Sequence, residues 1–413
     1  MITVSDRIKL FDLSKVLLAL LIVSINIREP YFHSREILFG LVVLTSLKYI
    51  EIRRIKYAIT LVVIWAISAI YNIFVPGSDY KLAGSGFNTI VIACYLCLMC
   101  FCVKKYASTI IKSYLIVSII VATITIVIWV ICYFSSSAYS FLREYFIQMQ
   151  ESTGLSFIAI DLRAILGTRF LTVWYRTSPC MICALGYCLI ERLDKINKHT
   201  ILIVLFSVAL FFSGTRANMM SAVLLDLLYV AFWFSRKRIP LFTLFIIFAG
   251  LFSAAMFAFL FFTDSGSASS AIKTSDTKSY FSTFASDGLR TLFFGWGPGS
   301  TFYSLGRGKM VDITELSLFE TIRRYGLIST FVIFFYIWFS PIRSELFRRN
   351  SINNLFYVAT LMAYIVTACT NPYLLDSVGF CALLFYCTCF KFGRLLHEDE
   401  KIEARKAEQD YAF

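Results

Sequence analysis

Residues 212–218, Phe212-Ser213-Gly214-Thr215-Arg216-Ala217-Asn218, interrupt an otherwise apolar run that extends from 201 to 234. About 20 apolar residues suffice for one membrane crossing, so a polar break inside so long a run reads as the tight turn between two antiparallel helices. The alternation of apolar run and polar connection continues in both directions. Of the 413 residues 58% are apolar, 17% aromatic and 16% charged, whereas soluble domains carry roughly a quarter charged residues. The pattern predicts an all-α polytopic membrane protein, a single transmembrane domain over 1–413. About twelve helices are expected, at 13–27, 36–50, 57–75, 86–103, 110–134, 171–191, 199–214, 217–234, 239–262, 317–340, 351–371 and 373–391. The first run follows Arg7 and Lys9 without a small-x-small cleavage site behind it, so it is expected to stay as an uncleaved span.

Basic residues set the expected orientation. Lys and Arg gather before the first run, in 48–56, 104–112, 192–198, 236–238 and 343–349, and after 390, while the short connections opposite hold only Arg28, Arg35 and Lys81. By the positive-inside rule both termini are then cytoplasmic. Two long loops, 135–170 and 263–316, fall on the other face, and they run against that bias by keeping arginines: Arg143, Arg163, Arg169, Arg290 and Arg307, with Arg176, Arg216, Arg323 and Arg324 beside them. Anion binding is the function that would retain them. Residues 138–150 space Tyr139, Leu142, Tyr145, Phe146 and Met149 as an amphipathic helix lying in the outer interface.

The twelve cysteines lie in apolar runs and read as small buried hydrophobes, Cys94-x-x-Cys97-x-x-Cys100 included, because no polar partners flank that spacing. With His33, His199 and His397 scattered, no metal site or cofactor is expected. No nucleic-acid partner is expected either.

Arg216, at headgroup depth in the 213–218 turn, has the fork geometry that suits phosphate oxygens. Arg290 lies in Asp287-Gly288-Leu289-Arg290-Thr291-Leu292-Phe293-Phe294, and the turn Gly295-Trp296-Gly297-Pro298-Gly299 behind it is a candidate anion nest of backbone N–H groups. Thr314 is expected as an N-cap with Glu315 in the first helical turn, where a carboxylate is favoured by the helix dipole and is also placed to act as a base. Asp376, after Asn371-Pro372, lies near the outer end of the last run and is expected to orient the arginines; Asp226 sits mid-run.

Phe212-Ser213-Gly214-Thr215-Arg216-Ala217, Arg290 leading into Gly295-Trp296-Gly297-Pro298-Gly299, Glu315 before Glu320-Thr321-Ile322-Arg323-Arg324-Tyr325-Gly326-Leu327, and Thr370-Asn371-Pro372 together resemble the bacterial O-antigen polymerase (Wzy-type) and O-antigen ligase superfamily over roughly 165–380. The resemblance implies a GT-C-like membrane enzyme of the bacterial inner membrane with its long loops in the periplasm. It implies metal-independent, inverting transfer of a glycan from an undecaprenyl-pyrophosphate carrier to a sugar hydroxyl on an acceptor glycan. Arg216 and Arg290 would stabilise the departing pyrophosphate and Glu315 would take the hydroxyl proton, with Arg163, Arg169, Arg176, Arg323, Arg324 and Asp376 binding substrate. A chain-length regulator and a flippase are the implied protein partners. Ligases of this superfamily place a histidine in the outer loop, and this chain has none between His199 and His397, which favours the polymerase. The ligase, and a lipid-linked sugar flippase, stand as alternatives.

Overall fold

The computed structural model describes residues 12–27, 34–46, 52–73, 104–153, 158–165, 168–194, 199–234, 268–312, 314–339, 343, 352–369 and 376–393. The expected spans 86–103 and 239–262, the Cys94–Cys100 spacing, Asn371-Pro372 and both termini lie outside these residues.

Apolar periodicity and polar breaks produce helices close to where the sequence puts them: α1 (Leu13–Ile27), α2 (Ser34–Ser46), α3 (Ile52–Ile73), α4 (Lys104–Phe134) and α5 (Ser136–Thr153). The expectation of an all-α chain is then corrected by an antiparallel hairpin, β1 (Ile158–Ile165) and β2 (Thr168–Tyr175), in register from Ile158↔Tyr175 to Ile165↔Thr168. Its residues alternate. Ile158, Ile160, Leu171, Val173 and Tyr175 are buried on one face, while Arg163, Phe170 and Thr172 share the other. The supposed span 171–191 is therefore the end of β2, a turn, and the helix α6 (Cys180–Asp194).

Next come α7 (His199–Phe212) and α8 (Arg216–Phe234). The second long loop is itself ordered, as α9 (Ala268–Asp287), α10 (Leu289–Phe294) and a second hairpin, β3 (Phe302–Ser304) with β4 (Lys309–Val311). The chain continues through α11 (Ser317–Ile333), a π-helical turn (Phe334–Phe339), α12 (Ile352–Cys369) and α13 (Ser377–Gly393).

The expectation of about twelve transmembrane helices is overturned. Among the described residues one helix, α4 with 31 residues, is long and apolar enough to cross a membrane. At 1.5 Å per residue a 14-residue helix such as α7 spans only ~21 Å, against a hydrocarbon core of ~30 Å. The run 317–340 is likewise broken, because Gly326 inside α11 has φ 78° and ψ 165°. Only 33% of the apolar window of α4 is buried, with Ile116, Val127 and Ile131 turned outward. An apolar helix so exposed supports association with a membrane.

Two apolar cores result. The main one joins α1, α4, the first hairpin, α6, α7, α8, α12 and α13 around Leu18, Tyr114, Val173, Leu185, Phe206 and Phe385. The described cysteines are buried or half-buried free thiols, most of them within it. A smaller core of Tyr280, Phe302 and Val311, edged by Phe284, Trp296, Leu316 and Phe319, holds the second loop together.

Candidate functional site

The turn between α7 and α8 is pinned from both sides. Ser213 Oγ donates to the Leu210 carbonyl (2.6 Å) and accepts from Asn218 Nδ2 (3.0 Å). Gly214 has φ 61° and presses so closely on the Thr172 side chain that a Cβ there would overlap it. Only glycine meets both conditions without strain. Thr172 is held in turn by donating to the Asp161 carbonyl (3.0 Å). Behind the turn Trp129 stacks on Phe212 (4.0 Å between centroids, 7°) and donates Nε1–H to the Leu171 carbonyl (2.8 Å), while Phe170 meets Phe211 edge-on. One such aromatic pair contributes about 0.5–1.5 kcal/mol beyond its buried area, so three elements are locked at a single point.

That point presents Arg216 at the first position of α8, half-buried, beside half-buried Arg163 on β1. Burial, and then the Arg163 guanidinium, lower the pKa of Arg216 from its usual value; an arginine still stays charged. Among the described residues Arg163 has no hydrogen bond or ion pair, and the buried Thr215 hydroxyl has no hydrogen bond. Two neighbouring guanidinium groups at a helix N-terminus, where the helix dipole adds the same sign, favour an anion beside them. Asp161 lies two residues from Arg163 on the same face of the strand, exposed.

The second loop is built on a buried ion cluster. Arg323 is 0% exposed and all five of its N–H bonds are used. Nε reaches Glu320 Oε2 (3.2 Å), Nη1 reaches Ser300 O (3.0 Å) and Oγ (2.6 Å), and Nη2 reaches Asp312 O (2.8 Å) and Glu320 Oε1 (2.6 Å). Arg324 donates to Glu320 Oε1 (2.5 Å) and Asp312 O (2.8 Å). Tyr280 donates to Glu320 Oε2 (2.6 Å) and pairs with the Thr314 hydroxyl (2.7 Å). Burial alone would raise the Glu320 pKa, but Arg323 and Arg324 outweigh it and hold the carboxyl at about 2. Asp276, also buried, accepts from Ser304 Oγ and so ties α9 to the second hairpin.

This cluster corrects several expectations. Arg323 and Arg324 clamp the Gly295–Gly299 turn, whose Trp296 and Gly297 N–H groups donate to the Arg323 and Arg324 carbonyls (2.6 and 2.9 Å). Those amides are spent inside the fold and form no anion nest, and Arg323 has no donor left for a substrate. Thr314 is not the N-cap of α11, which begins at Ser317 with Leu316 in the cap position; its hydroxyl instead accepts the Leu316 N–H (3.3 Å). Glu315 precedes the helix, 49% exposed and ion-paired with Lys273 (3.0 Å). Half-buried Asp376 accepts the Gly379 N–H (2.8 Å) at the start of α13, which leaves its expected role toward the arginines open to substitution tests. Asp226 is half-buried along α8.

Of the remaining expected residues, Arg290 is exposed on α10 with its guanidinium over the Tyr71 ring (5.1 Å), and among the described residues it makes no hydrogen bond or ion pair. Arg169 is exposed on β2, on the strand face opposite Arg163. Arg176 is half-buried in the turn before α6. The structure thus joins Arg216 to Arg163 and gives Arg290 its own contact on α3. Residues that sequence reasoning passed over, Thr172, Tyr280 and Asp276, are polar side chains whose partners lie across the fold. No protein-family model matches the chain, and no curated protein matches it.

Proposed function

We propose that the chain is a membrane glycosyltransferase that polymerises undecaprenyl-pyrophosphate-linked repeat units into O-antigen or a related surface polysaccharide. In this reading it crosses the bacterial inner membrane more than once, keeps both termini cytoplasmic and presents its ordered loops to the periplasm. The observation that carries the proposal is the Arg163–Arg216 pair, a half-buried dication beside a helix N-terminus. The acceptor hydroxyl oxygen attacks the anomeric carbon, the bond from that carbon to the diphosphate oxygen breaks, and the diphosphate leaves with the electron pair. Charge grows on the diphosphate as it departs, so guanidinium donors there stabilise the transition state more than the ground state. The hydroxyl proton passes to Glu315, which is 49% exposed and lies 3.0 Å from the Lys273 ammonium. Arg290, exposed and unspent, serves the diphosphate or the sugar next to it.

Purified protein given a lipid-linked repeat unit, without nucleotide or added metal, is the test. A ladder of products supports polymerisation. One block passed to lipid A core indicates the ligase, and movement of substrate across vesicles without product indicates transport; either overturns the proposal. Arg216→Ala is expected to reduce the rate about 100-fold or more, the loss of one transition-state donor worth roughly 3 kcal/mol.

A further inference from the structure

Between α9 and the second hairpin lies a cleft of about 340 Å³, within the ~300–1,000 Å³ range of small-molecule sites. Nearly buried Phe302 lines it together with the aromatic residues Trp296 and Tyr303 and the hydroxyl-bearing Ser282, Thr283 and Thr301; none of the described lining residues is charged. Phe302 is 2% exposed, held between the Tyr280 ring (4.7 Å) and the fully bonded Arg323 guanidinium (4.8 Å). The rim is unspent: Tyr303 is 52% exposed, and among the described residues the side-chain hydroxyls of Ser282, Thr283, Thr301 and Tyr303 make no hydrogen bond.

This chemistry selects among ligands. A phosphate or carboxylate would find no cation in the cleft, and an alkyl chain would cover the hydroxyls without giving them partners. A pyranose presents an apolar C–H face to an aromatic ring and a ring of hydroxyls, each able to donate and accept, to the Ser and Thr side chains. We propose that the cleft binds a neutral saccharide and holds the acceptor glycan. The acceptor role rests on the glycan-transfer reading above; saccharide binding itself does not.

The full-length protein is applied to a printed array of neutral and acidic oligosaccharides, and the neutral oligosaccharide bound best is then titrated in solution. Binding of neutral saccharides is expected. Tyr303→Ala should weaken it roughly tenfold, the upper end for loss of one aromatic stack, whereas Tyr303→Phe, which keeps the ring, should stay close to wild type. Ser282→Leu, which fills the cleft from α9, should abolish binding. An array that captures only acidic oligosaccharides, or none, overturns the proposal, as does undiminished binding by Tyr303→Ala and Ser282→Leu. If saccharide binds as expected but lipid-linked substrate gives no transfer product, the cleft stands and the catalytic reading falls. Transfer without array binding has the opposite meaning.

Discussion

Glu320 and Arg290 show how differently two charged residues of one loop are employed. Glu320 accepts from Arg323, Arg324 and Tyr280 inside the small core, so Glu320→Gln leaves a buried Arg323 without its counter-charge. Removing one partner of a buried pair costs about 3–5 kcal/mol, and hydrogen exchange across 276–325 should rise sharply in this variant while α4 and α6 stay protected. The carboxyl pKa falls from an ordinary 4.5 to about 2 on folding. A depressed carboxylate pKa stabilises the fold fully above the unfolded value, so this contribution is present above about pH 4.5 and is lost as pH falls from there toward 2. Glu320→Gln should flatten that acid limb; an unchanged limb would assign it to other carboxylates. Arg290, by contrast, sits over the Tyr71 ring and makes no hydrogen bond or ion pair among the described residues. Arg290→Ala is expected to abolish polymer while leaving folding intact, and Arg290→Lys to fail as well because a point charge cannot replace the fork. Normal product ladders from either variant would remove Arg290 from the site.

At the scale of elements, the joint between α10 and α11 depends on two glycines packed back to back. Gly295 and Gly326 both have φ 78°. A Cβ on Gly295 would lie 2.5 Å from the Gly326 nitrogen and 2.6 Å from the Arg324 carbonyl oxygen, and one on Gly326 would overlap the Phe293 carbonyl. Gly326→Ala therefore adds a clash with unyielding backbone to a conformational cost of about 1–3 kcal/mol, and proteolysis within 268–333 should accelerate. Gly308→Ala is the control: its φ of 62° is also positive, but nothing lies within 4 Å of the added Cβ. Equal sensitivity of the two variants would mean that close packing at the joint is unimportant. Helix positions were legible in the sequence where a polar break meets an apolar run, as in α1 over 13–27 and the α7–α8 turn at 213–215. The first hairpin was not, because the polar turn Arg176-Thr177-Ser178-Pro179 between β2 and α6 is only four residues long and the expected span 171–191 ran through it. Its alternation shows only once Ile158 is set opposite Tyr175. Arg163 and Arg216 were named from sequence, but their proximity depends on Gly214 meeting Thr172, a contact across 42 residues that no local pattern encodes.

For the whole molecule, apolar composition proved a poor count of membrane crossings, since much of it fills a core shared by short helices and a hairpin. α4 is different in kind. Its 31 residues reach ~46 Å at 1.5 Å per residue, more than a hydrocarbon core of ~30 Å, and Ile116 near its middle is 54% exposed. If that face meets lipid, Ile116→Arg puts a charge near the bilayer centre at about 2.5–3.5 kcal/mol. Leu162→Arg, at a residue 50% exposed on the first hairpin, should have little effect on insertion. Lys104→Cys and Ser137→Cys bracket the helix, and a membrane-impermeant thiol reagent should modify them from opposite sides, with the native thiols measured as a blank. Adding Ile116→Arg should erase that opposition or sharply lower the inserted yield. Labelling of both positions from the same side in the otherwise native chain would show that α4 does not cross, and the periplasmic placement of the Arg163–Arg216 pair would lose its basis with it.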